Sequence, residues 1–317
     1  MIKKPGGRKN FGYGKKLDYA VSNILRDKFG VSRFGTQATY RSRLRDFEEF
    51  LNSAGIKNLA EITRSDIAAY ADSLRNRVAD GDCAVATAVN YLSAANILLS
   101  HARHDEQLAV SPSNEVGRRN YVRTVAPFGL RVAHPSQLQA ASSLGLLHGD
   151  AIIAVLGLAR FAGVRFREAS LTPLDDALAE IRATGSLNIV HGCKGGRTED
   201  RLVPGSGELV EVLEIACARL GRQFVIPTRW NYIQWSYYAY RHMPKVAACL
   251  GISRGFHDLR ASYACERYSA ITGADAPVVA GRRLVSRELD RLAREQISRE
   301  LGHGRAQICA SYTGSAR

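Results

Sequence analysis

The sequence lacks an apolar run long enough to cross a bilayer. Its most apolar stretch, residues 151–161, contains Arg160 and is far shorter than the roughly 20 residues that a transmembrane helix needs. The N-terminus carries positive charge without a following apolar region, so no secretory signal is predicted. We therefore expect a cytoplasmic protein that does not bind membranes.

Cysteines and carboxylates lack the spacing of metal sites. The six cysteines are scattered, without a CxxC pair, and such usage is typical of a reducing compartment. No cluster of Asp and Glu offers a magnesium site. We therefore expect no metal and no other cofactor.

Acidic residues are too few to balance the basic ones, because 30 Asp and Glu face 44 Lys and Arg and leave a net charge of +14. This excess indicates a polyanionic partner, and nucleic acid is favoured over a membrane surface. Residues 1–16 contain no acid at all, which predicts a flexible basic arm. The arm either binds DNA or is a solvated tail without a role. Its candidate DNA-binding residues are Lys3, Lys4, Arg8 and Lys9.

Residues 17–110 have the pattern of a helical bundle. Apolar residues recur on one helical face in residues 40–54, 67–74 and 88–102. Thr63 and Asp66 have the spacing of a capping box at the start of the second of these helices. We expect these helices to pack as one compact domain.

Residues 111–135 interrupt the helical pattern with prolines and are predicted to link two domains. The segment is basic, and its arginines can follow phosphates if the two domains grip a duplex from opposite faces. An idle linker is the alternative. The candidate DNA-binding residues here are Arg118, Arg119 and Arg123.

Residues 136–317 are predicted to form the second domain. Residues 151–161 are apolar on every side, as expected of a buried central helix. Two short strand candidates, residues 187–191 and 201–204, flank a glycine-rich turn at 192–198 and predict a hairpin. The rest is helical in pattern, so the predicted fold class is mainly α with a small β-sheet.

Two short motifs offer arginines for binding a phosphate. A planar guanidinium can donate two parallel hydrogen bonds to a phosphate, and Arg165 and Arg260 are the candidates. His257 precedes Arg260 by one helical turn, so both project from one face of a helix. Glu168 would support Arg165, although this pair alone is more typical of an ordinary ion pair at a helix start.

A candidate nucleophile lies near the C-terminus. Tyr312 follows His303, which itself follows a helix stopped by Gly302. A phenol with a pKa of about 10 is a weak nucleophile, but nearby cations would stabilise the developing phenolate. We expect His257 to accept the phenol proton. By itself, Tyr312 would more often be a packing residue.

In this order and spacing, the motifs resemble the tyrosine recombinase (phage integrase) family, most closely the integrases of proteobacterial prophages and integrative elements. The motif residues are Arg165, Lys194, His257, Arg260, His303 and Tyr312. The resemblance implies an N-terminal core-binding, SAM-like domain (residues 17–110) and a C-terminal tyrosine-recombinase catalytic domain (residues 136–317). It also implies that Lys194 is the general acid for the 5′-oxygen.

The function implied by the resemblance is site-specific DNA recombination through a 3′-phosphotyrosine, without metal or ATP, for integrating or excising a mobile element or prophage. The implied partner is double-stranded DNA, with accessory DNA-bending or excisionase proteins. The implied assembly is a homotetramer on paired DNA sites, with weaker self-association in the absence of DNA. The implied location is cytoplasmic and nucleoid-associated. Three alternatives stay open: an Xer-like resolvase, an enzyme similar to type IB topoisomerases, and a catalytically idle DNA-binding protein.

The sequence departs from the family pattern in two places. Residues 270–284 are extra sequence between Arg260 and His303, and the tail after Tyr312 has only residues 313–317. The tail is too short for the helix exchange that joins protomers in many relatives. The extra segment, with its apolar residues 278–280, either couples protomers or folds back on its own domain.

Overall fold

The computed structural model describes residues 8–193, 200–252 and 255–315. The chain divides into two units, Met1–Asn120 and Tyr121–Arg317. Both are built mainly from α-helices, and the second also contains a two-stranded sheet, which confirms the predicted fold class. Across the described residues, no helix is both long and apolar enough to cross a membrane.

The first unit packs its helices around one apolar core. These helices are α1 (Leu17–Phe29), α2 (Phe34–Ser53), α3 (Arg64–Ala79), α4 (Val85–Arg103) and the short α5 (Pro112–Glu115). Phe47, Leu51, Tyr70 and Leu92 are fully buried in this core. They come from the predicted apolar faces, since apolar residues spaced three or four apart lie on the same side of a helix.

Helix ends in the first unit follow local sequence signals. The Thr63 side chain accepts a hydrogen bond from the backbone N–H of Asp66, and the Asp66 carboxylate accepts one from the N–H of Thr63. This is the predicted capping box at the start of α3. Gly55 follows α2 with φ +74°, a left-handed conformation that glycine adopts without a steric penalty.

Residues 8–16 pack on the helical unit, in contrast to the flexible arm predicted for residues 1–16. Asn10 is fully buried, and its side-chain oxygen accepts a hydrogen bond from the backbone N–H of Leu59 at 2.8 Å. Phe11 and Tyr13 are also buried. Arg8 and Lys9 remain exposed, whereas Lys3 and Lys4 lie outside the described residues.

The second half of the predicted linker is part of the second unit. A short 3₁₀ turn, Phe128–Arg131, packs against the helix that carries Arg260. The buried N–H of Gly129 donates to the Asp258 carboxylate at 2.7 Å. A Cβ on Gly129 would overlap Leu259 and Ser262, so the close approach requires glycine.

The second unit surrounds a central helix. Its helices are α6 (Pro135–Leu138), α7 (Gly149–Phe161), α8 (Phe166–Leu171), α9 (Leu174–Thr184), α10 (Gly207–Leu220), α11 (Tyr232–Cys249), α12 (Gly255–Thr272), α13 (Pro277–Ala280), α14 (Arg287–Glu300) and α15 (Ala310–Thr313). Residues 151–161 of α7 are all buried, as predicted. Arg160 is tolerated there because its guanidinium pairs with Glu266 and donates to two backbone carbonyls.

The small sheet lies where the hairpin was predicted. Strands β1 (Ser186–Asn188) and β2 (Leu202–Pro204) pair antiparallel, with Leu187 opposite Val203. The backbone N–H of Ile189 donates to the Arg201 carbonyl at 2.9 Å, which continues the pairing toward the turn. The turn residues 194–199, including Lys194, lie outside the described residues.

The extra segment folds back on its own unit. It forms the end of α12, a loop and α13, in which Ala276 and Pro277 are buried. Val278 lies against Gly314, just after Tyr312, and a Cβ on Gly314 would come within 2.8 Å of the Val278 backbone nitrogen. The segment therefore supports the end of α15 within one chain, which is the second of the two roles weighed above.

Candidate active site

Five of the six motif residues converge in the second unit. Arg165 is the N-cap residue of α8, His257 and Arg260 lie on α12, His303 follows α14, and Tyr312 lies on α15. Lys194, the sixth, is outside the described residues. The helices bring together side chains that are far apart in sequence.

The Tyr312 hydroxyl lies between two of the predicted groups. It is 3.0 Å from Nε2 of His303 and accepts a hydrogen bond from Nε of Arg260 at 3.3 Å. The guanidinium carbon of Arg260 is 5.6 Å from the centre of the tyrosine ring. A cation and an imidazole therefore both contact the oxygen that would act as nucleophile.

Arg260 is held almost completely inside the protein. Only 1% of the residue is exposed, and its terminal nitrogens donate to the carbonyls of Gly163 and Leu301. Burial lowers the pKa of Arg260 to about 10. The side chain is still a cation at neutral pH, and its Nη2 lies 3.3 Å from His303 Nε2.

The carboxylate of Glu168 lies close to three arginines of the site. Its two oxygens lie 2.6 Å from Nη1 of Arg165 and 2.9 Å from Nη1 of Arg201, and Arg260 is 3.8 Å away. Burial alone would raise the pKa of Glu168, but Arg201 and the backbone N–H of Arg165 more than offset this, so the pKa is lowered. The carboxylate stays ionised and binds the Arg165 side chain.

The two histidines differ in their relation to Tyr312. Burial and then the cations Arg260 and Arg165 lower the pKa of His303 to about 4, so it is neutral near pH 7. Partial desolvation and the same cations also lower the pKa of His257, which is exposed. Within the described residues, the imidazole that contacts the phenol is His303. The proton acceptor suggested by this geometry is therefore His303 rather than His257.

An aromatic cluster sets the position of Arg165 relative to His257. Phe166, next to Arg165, lies 4.8 Å from the ring of Phe256, next to His257, and 4.9 Å from Tyr240. Aromatic packing of this kind is rigid and buries large areas. The starts of α8 and α12 are thereby held together, which places the two motifs on one side of the unit.

Gly163 makes the close approach behind Arg260 possible. Its φ is +61°, and a Cβ there would overlap the ring of Tyr263. Its carbonyl accepts a hydrogen bond from Arg260. A side chain at this position would shift that carbonyl and therefore the arginine.

We expect Gly163→Ala to destabilise the protein more than Gly145→Ala does. Gly145 has nearly the same φ, +58°, but no atom within 4 Å of its would-be Cβ. Both changes incur about 1–2 kcal/mol of left-handed strain, and overpacking adds about 1–3 kcal/mol at Gly163 alone. Thermal or denaturant unfolding measures the difference. Equal losses for the two variants would show that Tyr263 does not constrain Gly163.

An open cavity of about 850 Å³ adjoins the cluster. Its lining includes Arg165, Glu168, Arg201, His303, Arg299 and Arg305. Its mixed polar wall with several cations suits an anionic group.

Arg201 belongs to the site but was absent from the predicted residues. It is 6% exposed, it pairs with Glu168, and its Nε donates to the Glu300 carbonyl at 2.7 Å. Its position at the start of the second predicted strand gave no chemical signal, since an arginine beside a hairpin is usually a surface residue. Only the fold shows that it lies inside.

The predicted DNA-binding residues differ in how free they are. Arg8, Lys9 and Arg118 are exposed. Arg119 donates to Asn90 at 2.6 Å. Arg123 pairs with Asp258, whose side chain is fully buried, and donates to the Val125 carbonyl. The guanidinium of Arg123 therefore has partners within the second unit, and its contact with DNA stays a prediction.

Taken together, the geometry suits the opening of a phosphodiester. The arginines can neutralise charge on the non-bridging oxygens, the neutral His303 can accept a proton, and Tyr312 can attack. Arg260, His303 and Tyr312 lie within hydrogen-bonding reach of one another. The site is thus equipped for nucleophilic attack on a phosphate.

Comparison with known proteins places this site on a known fold. Residues 31–106 match the family described as phage integrase, N-terminal SAM-like domain. Among curated proteins, no sequence matches the chain. Solved structures give the chain the tyrosine recombinase fold, which confirms the predicted resemblance. The closer likeness to proteobacterial prophage integrases stays a prediction.

Particular structures illustrate this likeness. A lambda integrase dimer bound to a COC′ core site has a TM-score of 0.60 at 16% identity, covering 95% of this chain and 78% of that one. The XerH site-specific recombinase bound to its difH substrate has a TM-score of 0.60 at 16% identity, covering 99% and 97%. A lambda integrase tetramer bound to a Holliday junction has a TM-score of 0.55 at 18% identity, covering 93% and 75%.

Proposed function

We propose that this protein is a site-specific DNA recombinase that cuts and rejoins double-stranded DNA through a covalent bond to Tyr312. The observation that carries the proposal is the position of the Tyr312 hydroxyl, which contacts both Arg260 and His303. The SAM-like domain and the recombinase fold support the same reading.

In the proposed reaction, the Tyr312 oxygen forms a bond to phosphorus while the bond from phosphorus to the 5′-oxygen breaks. The phenol proton passes to Nε2 of His303. Arg165 and Arg260 bind the non-bridging oxygens, where charge builds up in the transition state. From the family resemblance, Lys194 gives a proton to the departing 5′-oxygen.

The covalent intermediate conserves the energy of the phosphodiester. The free 5′-hydroxyl of another strand can then attack the 3′-phosphotyrosine, which restores a DNA bond and releases Tyr312. Rejoining therefore requires no ATP. This balance is what allows strand exchange instead of simple cleavage.

Double-stranded DNA is the proposed partner, and a homotetramer on paired sites is the proposed assembly. The net charge of +14 favours a polyanion. Similar structures are DNA complexes, including a tetramer on a Holliday junction. We also propose that the protein integrates or excises a mobile element with the help of accessory proteins, and that it is located at the nucleoid. The exposed residues Arg8, Lys9 and Arg118 are the best placed phosphate contacts.

Three alternative functions differ from integration or excision in how they use this chemistry. A resolvase or a nicking-closing enzyme would use the same chemistry, whereas an idle DNA-binding protein would use none. The latter is disfavoured because the nucleophile Tyr312, the imidazole of His303 and the guanidinium of Arg260 are in mutual contact.

Footprinting followed by a cleavage assay tests the proposal. We expect the protected DNA to contain inverted repeats around a short spacer. On a nicked duplex of that sequence, which loses a short fragment after cleavage, the wild-type protein should accumulate a covalent adduct without metal or ATP. Supplying a strand with a free 5′-hydroxyl should release the adduct as a joined product. Binding without an adduct would identify an idle DNA-binding protein.

A further inference from the structure

Arg201 is a buried cation that the reaction as described does not use. Only 6% of the residue is exposed, although it begins the second arm of the hairpin. Its backbone is fixed by the sheet, since its N–H donates to the Asn188 side chain at 2.9 Å and its carbonyl accepts from Ile189. A buried charge is costly unless it is paired, so its partners indicate its role.

The first partner is Glu168. Arg201 Nη1 lies 2.9 Å from Oε2 of that carboxylate, on the oxygen that also accepts the backbone N–H of Arg165. The other oxygen binds the Arg165 guanidinium. Arg201 therefore holds the carboxylate that orients Arg165.

The second partner is the turn that presents His303. The Arg201 Nε donates to the carbonyl of Glu300, the last residue of α14. Gly302 has φ +63°, and a Cβ there would come within 3.2 Å of the guanidinium. The arginine thus fills the space under the turn between α14 and His303.

The third observation is the separation of Arg201 from the Tyr312 hydroxyl. The contacts of that hydroxyl within the described residues are His303 and Arg260. Nε of Arg201 donates to the Glu300 carbonyl and Nη1 lies against Glu168, while the buried Nη2 has no hydrogen-bond partner among the described residues. Because two of its three nitrogens are held by these groups, Arg201 is suited to organise the side chains that surround the phosphate.

We propose that Arg201 is a positioning residue of this active site, which holds Arg165 through Glu168 and holds His303 through the end of α14. This inference rests on the proposed function. It connects the base of the hairpin to both the phosphate-binding arginine and the proton acceptor. Displacing either by about 1 Å can slow a reaction by about 10²-fold.

The charge of Arg201 also acts on His303. The groups that face this imidazole are Arg260 from α12, Arg165 and Glu168 from α8, Tyr312 from α15 and Arg201 itself. The arginines lower the pKa of His303, and Glu168 raises it. Removing the Arg201 cation must therefore raise this pKa. A general base acts in its neutral form, so the rate would begin to fall at a higher pH than in the wild type.

The test is single-turnover adduct formation on the nicked duplex at saturating protein, measured from about pH 3 to 9 so that the acidic limb set by the His303 pKa of about 4 lies within the range. We expect Arg201→Met to slow the reaction by about 10–100-fold at pH 7 and to move the acidic limb of the rate profile upward. Arg201→Lys keeps the charge but loses the guanidinium geometry. It should leave the limb near its wild-type position and still lower the rate. DNA affinity should change little for both.

Arg182→Met is the matched control. Arg182 is an exposed arginine of the same unit that pairs with Glu214 and does not line the cavity. Like Arg201→Met, this substitution removes one positive charge. We expect its rate and pH profile to match those of the wild type.

A second comparison separates positioning from general stability. If Arg201 acts through Glu168, the two residues are coupled. Arg201→Met should then slow adduct formation by a smaller factor in a Glu168→Gln background than in the wild type. Multiplicative losses, or a slower Arg201→Met with an unshifted pH profile, would overturn the inference. Should Arg201→Met fail to fold, Arg201→Lys decides, and a wild-type rate for it would contradict the proposal. If the wild-type protein forms no adduct at all, the proposed function itself is wrong.

Discussion

Tyr312→Phe is expected to abolish the covalent DNA adduct and to leave DNA binding intact. The substitution removes one oxygen and keeps the ring, which packs against the core of the second unit. That oxygen is the atom within 3.0 Å of His303 and 3.3 Å of Arg260. Denaturing gels of the nicked duplex report the adduct, and a filter or gel-shift titration reports affinity.

Tyr268→Phe provides the matched control for Tyr312→Phe. It removes the hydroxyl of a buried tyrosine that donates to Asp290 at 2.8 Å. We expect some loss of stability and no loss of the adduct. Tyr263 is a similar case, since its hydroxyl donates to Glu300 at 2.7 Å. An adduct that survives Tyr312→Phe would sink the assignment of the nucleophile and direct attention to these residues and to the exposed Tyr121.

Arg260→Ala should lower the rate of adduct formation by about 10²–10³-fold, the usual cost of removing one donor to a developing oxyanion. The effect on affinity should be far smaller, because the duplex touches many other cations. The variant also leaves the carbonyls of Gly163 and Leu301 without their donor. Each buried carbonyl left unpaired costs about 1–3 kcal/mol, so lower thermal stability is expected as well.

The loss of stability must be separated from the loss of catalysis for Arg260. Arg160→Met offers a comparison, because Arg160 is equally buried and donates to two backbone carbonyls away from Tyr312. We expect it to be destabilised but to cleave at a normal rate while folded. A normal cleavage rate for folded Arg260→Ala at saturating protein would show that the arginine does not bind the reacting phosphate.

Much of the fold could be predicted because its signals are local. The apolar faces of α2, α3 and α4 repeat with the helical period, and Thr63 with Asp66 marks the start of α3. The central helix α7 is apolar all round and is buried all round. The hairpin was predicted at residues 187–191 and 201–204, close to β1 (Ser186–Asn188) and β2 (Leu202–Pro204). Pairing at Ile189 continues beyond β1.

Other features depend on contacts between distant residues. Asn10 is buried because its side chain satisfies the backbone at Leu59, far along the chain, and nothing near Asn10 indicates this. Arg123 pairs with Asp258, which is far along the chain and which its basic segment does not indicate. In the same way, Gly129 looks like a linker residue until α12 packs against it.

The candidate site shows the same division. His257 and Arg260 share a helix face, and Arg165 with Glu168 spans one turn, so their proximity follows from spacing alone. Which histidine meets Tyr312 depends on how α14 and α15 close over α12. We expected His257 to accept the phenol proton, whereas the imidazole in contact with Tyr312 is that of His303. The position of Arg201 within the site follows only from the folded hairpin and not from the sequence.

The most direct test of the proposed covalent bond to Tyr312 is to identify the amino acid to which the DNA becomes attached. Wild-type protein is trapped on the nicked duplex, digested with protease and nuclease, and analysed by mass spectrometry. The proposed reaction predicts a nucleotide attached through its 3′-phosphate to the tyrosine of the peptide that contains Tyr312. A nucleotide on any other residue, or attached through a 5′-phosphate, would contradict it.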